Sequence, residues 1–275
     1  MSSSLSDAAF AELTATAHAM ADVARAPILE HFRSANLTAD NKLAGGFDPV
    51  TVADRAAEAA MRRVLADRRR NDAILGEEEG RSSGTSGLTW VIDPIDGTRA
   101  FLAGAPTFGV LIALHDGDRP ILGMVDQPYI GERFVGAPGR AAPAELIRRG
   151  ERRALRTRSA VALSDAIALT TYPEVGTEAE GAAFAAVSRE AKLTRYGLDC
   201  YGYMLVALGQ ADLVIEAGLQ AYDIQGPMAV VQAAGGIVTD WSGDSCDQGG
   251  RALAAANAEI HEAALEILAR QPFDG

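Results

Sequence analysis

Cysteine is scarce in this chain of 275 residues: Cys200 and Cys246 are the only two, and they lie far apart in sequence. Such a pair fits neither a disulfide framework nor a zinc-ligand spacing, and it leads us to expect a reduced, cytoplasmic protein. Long apolar runs are also missing. No stretch approaches the roughly 18 residues that a membrane span needs. The segment Met1-Ser2-Ser3-Ser4 has no basic region with an apolar stretch behind it, so neither a secretory leader nor a membrane partner is expected. Positive charge is in deficit, with 25 Lys and Arg against 37 Asp and Glu, a formal net charge of −12. Contacts to a nucleic-acid backbone need a basic face, so nucleic acid is not expected as a main partner. The four histidines (His18, His31, His115 and His261) share no ligand spacing. Internal repeats and low-complexity linkers are absent too.

What remains is the composition of an ordinary globular enzyme, 48% hydrophobic and 23% charged, with enough chain for one large domain or two intimate ones. Apolar residues at helical spacing predict a helix over residues 5–32, with Pro27 expected to bend or end it. A second, Ala-rich helix is expected over 51–70, then a short strand 74–76 and a polar, glycine-rich loop 80–87. Strand-like stretches at 108–114, 121–127 and 133–136 suggest an antiparallel meander in the first half. The second half alternates: strand 167–171, helix 180–190, strand 193–196, helix 200–208, strand 212–216, helix 224–234, strand 252–256 and helix 260–270. A layered α/β fold follows, divided near residues 140–160, where Gly, Pro and Arg accumulate. The expected halves are 1–145, carrying most of the candidate site, and 146–275.

The most informative stretch is Trp90-Val91-Ile92-Asp93-Pro94-Ile95-Asp96-Gly97-Thr98. An apolar strand ends in two carboxylates at a fixed spacing, which is costly unless a cation lies between them. Mg²⁺ suits clustered oxygen ligands, and the Gly97 and Thr98 N–H groups at the start of a following helix suit an anion such as phosphate. Other acids at the ends of expected elements are Asp48, Glu77 and Asp223. Asp48-Pro49 reads equally as a turn and Asp223 equally as a helix N-cap. An acidic protein acting on a phosphate ester must neutralise it locally, and bound metal does so most directly. Gly80-Arg81-Ser82-Ser83-Gly84 matches a nucleophile-elbow pattern, but no apolar strand leads into it. Cys200 has no basic neighbour and reads as a small core residue.

These residues resemble the inositol monophosphatase superfamily of Mg²⁺-dependent phosphatases. Asp48-Pro49-Val50-Thr51-Val52-Ala53-Asp54 is similar to its Asp-x-Val-Thr-x-x-Asp segment, and Gly76-Glu77-Glu78 to its Gly-Glu-Glu. Asp93 to Thr98 is similar to its Asp-Pro-Ile-Asp-Gly-Thr core, and Tyr222-Asp223 through Gly235-Gly236 to its C-terminal signature. The resemblance implies an α-β-α-β-α sandwich, usually a homodimer. It implies that Glu77, Asp93, the Ile95 carbonyl, Asp96 and Asp223 ligate two or three Mg²⁺ ions. Thr98, helped by Asp48, would orient the attacking water, and the Gly97 and Thr98 N–H groups would hold the phosphate of a small phosphate ester.

Within the superfamily, the run Arg195 to Tyr203 and the run Gly209 to Asp223 look closest to the histidinol-phosphatase branch. Inositol-cleaving members tend to have small residues where this chain has Gly197-Leu198-Asp199. Asp199, Glu216 and Arg195 are therefore the expected substrate contacts, and L-histidinol phosphate the expected substrate. Asp199 reads equally as the N-cap of the next helix. Inositol monophosphate, or another small sugar or nucleotide phosphate, keeps the same chemistry. A regulatory role through RNA polymerase or RNA is the reading of a different class.

Overall fold

The computed structural model describes residues 5–35, 37, 39–41, 49–159 and 162–271. The chain begins with helix α1 (Asp7–His31), whose N-cap Ser6 side chain accepts from the Ala9 N–H. A ribbon of β1 (Ala39–Asn41) and β2 (Pro49–Thr51) leads into α2 (Val52–Arg68). Thr51 and Asp54 form a reciprocal capping box there, satisfying backbone N–H groups that the first turn leaves open. Pro27 does not end α1, which runs on to His31. Leu13, Met20, Ala24 and Ile28 are buried on one side of it, and that packing outweighs the single backbone bond a proline forfeits.

The first sheet is built from β3 (Ala73–Gly76), β4 (Gly80–Ser82), β5 (Thr89–Asp96), β6 (Gly109–His115), β7 (Pro120–Gln127), β8 (Glu132–Gly136), β9 (Glu145–Arg148) and β10 (Glu151–Ala154), with the short helix α3 (Thr98–Ala103) after β5. Its order is β10-β9-β8-β7-β6-β5-β3-β4. The pairing is antiparallel throughout except between β3 and β5. The expected meander is therefore present, and it extends further than expected. Residues 80–82, read as loop, pair with β3, and the hairpin β9–β10 adds two strands.

The second sheet contains β11 (Ile167–Thr170), β12 (Leu193–Tyr196), β13 (Leu213–Gln220), β14 (Ile237–Thr239) and β15 (Gly249–Ala255). Helices α4 (Glu178–Glu190), α5 (Asp199–Ala207), α6 (Ala221–Ala233) and α7 (Ala258–Leu268) alternate with these strands. The order is β12-β11-β13-β15-β14, parallel at β12-β11-β13 and antiparallel beyond.

Side-chain parity sorts the layers. Trp90, Ile92, Val110 and Ile112 pack with Leu13, Met20, Met61 and Leu65 from α1 and α2. The opposite parity, Leu111, Val125 and Phe134, joins Met204 and Val230 of the middle helices and Leu169 and Val214 of the second sheet. On the far side Phe184 of α4 and Ile260 of α7 pack on Leu213, Ile215 and Leu253. The result is α1/α2, sheet, α5/α6, sheet, α4/α7, the α-β-α-β-α sandwich that the family resemblance implies.

Candidate active site

Trp90 and Ile92 point into the α1/α2 core, so the pleat turns Val91 and Asp93 toward the middle helices. Pairing with β6 is irregular between Asp93 and Asp96, and that irregularity lets two acids three residues apart share one site. Asp93 is only 2% exposed. One of its oxygens, Oδ1, accepts from the Ile95 N–H at 2.9 Å, which locks the turn. The N-terminal end of α5 faces Asp96, whose Oδ2 accepts from the Cys200 N–H at 2.8 Å. Asp223 arrives on α6, in the third helical position, where it accepts from the Gln220 N–H at 2.7 Å. The N-cap is thus Gln220, not Asp223.

Ligand oxygens of Asp93, Asp96 and Asp223 lie within 4.8 Å of one another. Burial raises the Asp93 pKa well above the carboxylate range, and the charges of Glu77, Asp96 and Asp223 raise it further. Asp96 is raised for the same reasons, by burial and then by Asp223 and Asp199, against the Cys200 hydrogen bond. Packed carboxylates of this kind call for a cation. Only hard oxygen donors are present in the trio, a set that suits Mg²⁺ or a similar ion. Glu77, which continues β3 with its N–H on the Ile92 carbonyl at 3.2 Å, sits close enough to hydrogen-bond Asp93.

The phosphate seat expected at Gly97-Thr98 coincides with the start of α3. Gly97 is the N-cap, left-handed at φ 80°, and no side chain caps the helix. A Cβ at Gly97 would come 2.9 Å from Asp199 Cγ, so both conformation and space require glycine. The Thr98 hydroxyl donates to the Ile95 carbonyl at 3.1 Å, tying the expected water-orienting side chain to an expected ligand. Asp48 lies outside the described residues.

Beside the acids opens a cleft of about 180 Å³, whose walls include Asp96, Asp199, Glu216 and Asp223. Asp199 is the first residue of α5 rather than its N-cap. It adopts a left-handed φ of 46°, a strained setting for a non-glycine residue, and its Oδ2 accepts from Thr107 at 3.1 Å. Burial raises its pKa, while the Thr107 bond and the Arg99 charge oppose the rise. Glu216 is held from three sides: Oε1 accepts from the Thr171 N–H at 3.1 Å and hydroxyl at 2.5 Å, and Oε2 from the Tyr203 hydroxyl at 3.1 Å. Arg195 is not brought to this cleft. It lies exposed on β12, the edge strand of the second sheet.

Sequence reasoning missed the support behind the ligands. Glu58 of α2 is fully buried, and its carboxylate accepts from the Glu78 and Glu79 N–H groups at 2.7 and 3.0 Å, fixing the chain that presents Glu77. Arg62, one turn on, pairs with it at 2.8 Å. The signal was there in part: Asp54 and Glu58 are two acids four apart on an Ala-rich helix, and both are buried. Burial raises Asp54 to about 6 despite its bonds from Thr51, with Glu77 adding to the rise.

The model of the inositol monophosphatase family matches residues 10–272. The chain belongs to the inositol monophosphatase family. It is 38% identical over 277 residues to the bifunctional phosphatase IMPL2, chloroplastic, of Arabidopsis thaliana, covering 97% of this chain and 78% of that one. It is 34% identical over 260 residues to a histidinol-phosphatase of Streptomyces coelicolor, covering 92% and 95%. Among solved structures, an inositol monophosphatase from Zymomonas mobilis aligns with a TM-score of 0.83 at 39% identity, covering 95% of this chain and 99% of that one. A phosphatase of this metal-dependent family is therefore the coarse identity, and the acidic cluster is a site able to hold its metal. Among the described residues no helix is long and apolar enough to cross a membrane.

Proposed function

We propose that this inositol monophosphatase family member is a Mg²⁺-dependent phosphomonoesterase that hydrolyses L-histidinol phosphate to L-histidinol and phosphate. The carrying observation is Asp199, a carboxylate placed in the cleft beside the acidic cluster and against the Gly97 phosphate seat. Histidinol phosphate carries an ammonium group, and a cation brought to this pocket would relieve the burial that raises Asp199. Glu216, already supplied with three internal donors, would serve as a fixed acceptor in the same cleft. The names of two relatives, the histidinol-phosphatases of Streptomyces coelicolor and Mycobacterium tuberculosis, support this reading.

In this proposal Glu77, Asp93, the Ile95 carbonyl, Asp96 and Asp223 hold the metal. Bound Mg²⁺ supplies neutralisation of the phosphate charge and a water of lowered pKa. The Gly97 and Thr98 N–H groups orient the phosphate at the N-terminus of α3, and Thr98 with Asp48 orients the attacking water. The new P–O bond forms from that water as the ester P–O bond breaks, and the alcohol oxygen leaves with a proton. We place the working form as a homodimer.

The test is Asp199→Asn. Loss of a charge-assisted bond to the ammonium should lower kcat/KM for histidinol phosphate by roughly 10- to 100-fold. Hydrolysis of glycerol 2-phosphate, which lacks the cation, should hardly change. Equal losses on both substrates would reduce Asp199 to a structural residue. Faster turnover of inositol 1-phosphate by the unmodified protein would favour the second reading, an inositol-1-monophosphatase, which the Zymomonas likeness supports.

A further inference from the structure

Directly behind the metal ligands lies a second cavity, of about 230 Å³, that the phosphatase reading does not use. Its floor is Leu75 and Val91, each two residues before an expected ligand (Glu77 and Asp93) and on the same side of the sheet. That spacing puts the cavity about 7 Å along the strands from the acids. Gln225, in the same turn of α6 as Asp223, closes it from above. Arg81 of β4 and His115 at the end of β6 flank it.

Three observations define what it would take. Gln225 is 2% exposed, and its Nε2 donates to the Asp247 carbonyl at 2.9 Å, yet its buried Oε1 has no hydrogen-bond partner among the described residues. A buried acceptor left open costs about 1–3 kcal/mol, so a donor is wanted there. Arg81 is exposed and makes no ion pair among the described residues, so its guanidinium is available to a carboxylate. The Asp247 carboxylate lies behind Gln248 and His115 of the cavity wall, accepting from Gln248 at 2.6 Å and from Ser245 at 2.5 Å and bonded to His115 at 3.2 Å. His115 Nδ1 accepts from the Gly117 N–H at 3.0 Å, which leaves the proton of the neutral ring on Nε2, facing Asp247. The cavity is thus cationic at one end, accepting at the other, and apolar beneath.

We propose that this cavity binds a small zwitterion, a free α-amino acid, with its carboxylate on Arg81 and its ammonium toward Gln225 Oε1 and Asp247. The size agrees, since a pocket of a few hundred Å³ encloses a ligand of this class. β3, β5 and α6 each line this cavity and each present a metal ligand, so an occupant would press on the elements that set the ligand geometry.

The test is calorimetric titration of the Mg²⁺-loaded protein, with inorganic phosphate present, using each of the proteinogenic L-amino acids in turn. At least one should bind, and Arg81→Ala and Gln225→Leu should each weaken that binding by about tenfold or more. Arg81 is a surface residue, so its variant tests the site even if Gln225→Leu fails to fold. Phosphate turnover by Arg81→Ala without amino acid should stay within about twofold of the unmodified protein. The proposal is overturned if none of the amino acids binds at millimolar concentration, if binding survives Arg81→Ala, or if excess phosphate displaces the amino acid.

Discussion

Glu216 shows how much a single side chain can carry. It is 7% exposed and is raised to about 7 from 4.5, first by burial and further by Asp199, while Thr171 and Tyr203 hold it down. An acid with a folded pKa above its unfolded one keeps its proton more tightly when folded. Its contribution is therefore full below about pH 4.5 and is lost as pH rises toward 7. In excess chelator, the unfolding free energy of the unmodified protein relative to Glu216→Gln should fall by on the order of 2–3 kcal/mol across that window. Urea titrations of both proteins at several pH values would check it, and a pH-independent difference would contradict it. That Asp93 and Asp96 would share one buried acidic site was legible at this scale, because they follow an apolar run that only a buried strand explains. Thr107, Thr171 and Tyr203 were not legible. Each matters through hydrogen bonds to Asp199 or Glu216, residues distant in sequence, and nothing in the local pattern marks it.

At the scale of elements, the junction of β3 and α2 is tightly packed. A Cβ at Gly76 would come 2.2 Å from Glu58 Oε1 and 2.7 Å from an Arg62 nitrogen. Gly76→Ala must therefore push the Glu58–Arg62 pair away from the Glu78 and Glu79 N–H groups. A stability loss of about 2–4 kcal/mol is expected, the cost of disturbing a buried, hydrogen-bonded charge. Mg²⁺ affinity should weaken along with it, because Glu77 loses its anchor. Unfolding curves with and without Mg²⁺ give both quantities, and an unchanged pair would remove Glu58 from its supporting role. The helices and the central strands of both sheets could be read from periodicity. The strands that could not are polar or short, among them Gly80-Arg81-Ser82, Glu151-Arg152-Arg153-Ala154 and Ile237-Val238-Thr239. They are strands because a neighbouring strand offers an open edge, which is tertiary information. Pro27, expected to bend or end α1, does not end it, for the related reason that packing on α2 carries the helix on to His31.

For the molecule as a whole, the acidic cluster is a store of repulsion in the absence of cations. Asp93, Asp96 and Asp223 come from two separate segments and meet only in the folded state. An ion that binds there stabilises the fold by mass action, by roughly 2.7 kcal/mol at one hundred times its dissociation constant. Adding Mg²⁺ to chelator-treated protein should thus raise Tm by several degrees, and Asp93→Asn or Asp96→Asn should abolish most of the increase. A Tm indifferent to Mg²⁺ would argue against a metal centre at these residues.

Helix α6 belongs to the second half of the chain, yet it lies across the first sheet. Its Gly226 faces the Ile112 and Met124 carbonyls at a separation of 3.3 Å, measured from where a Cβ would stand. The same helix brings Asp223. Cut between residues 145 and 146, neither fragment would own a full set of ligands, and the first would leave bare the sheet face that α6 covers. Supplied together, the two pieces would hide that face and complete the site in the same docking event. This protein is therefore a natural candidate for a split reporter, in which recovered phosphatase activity counts reassembled pairs.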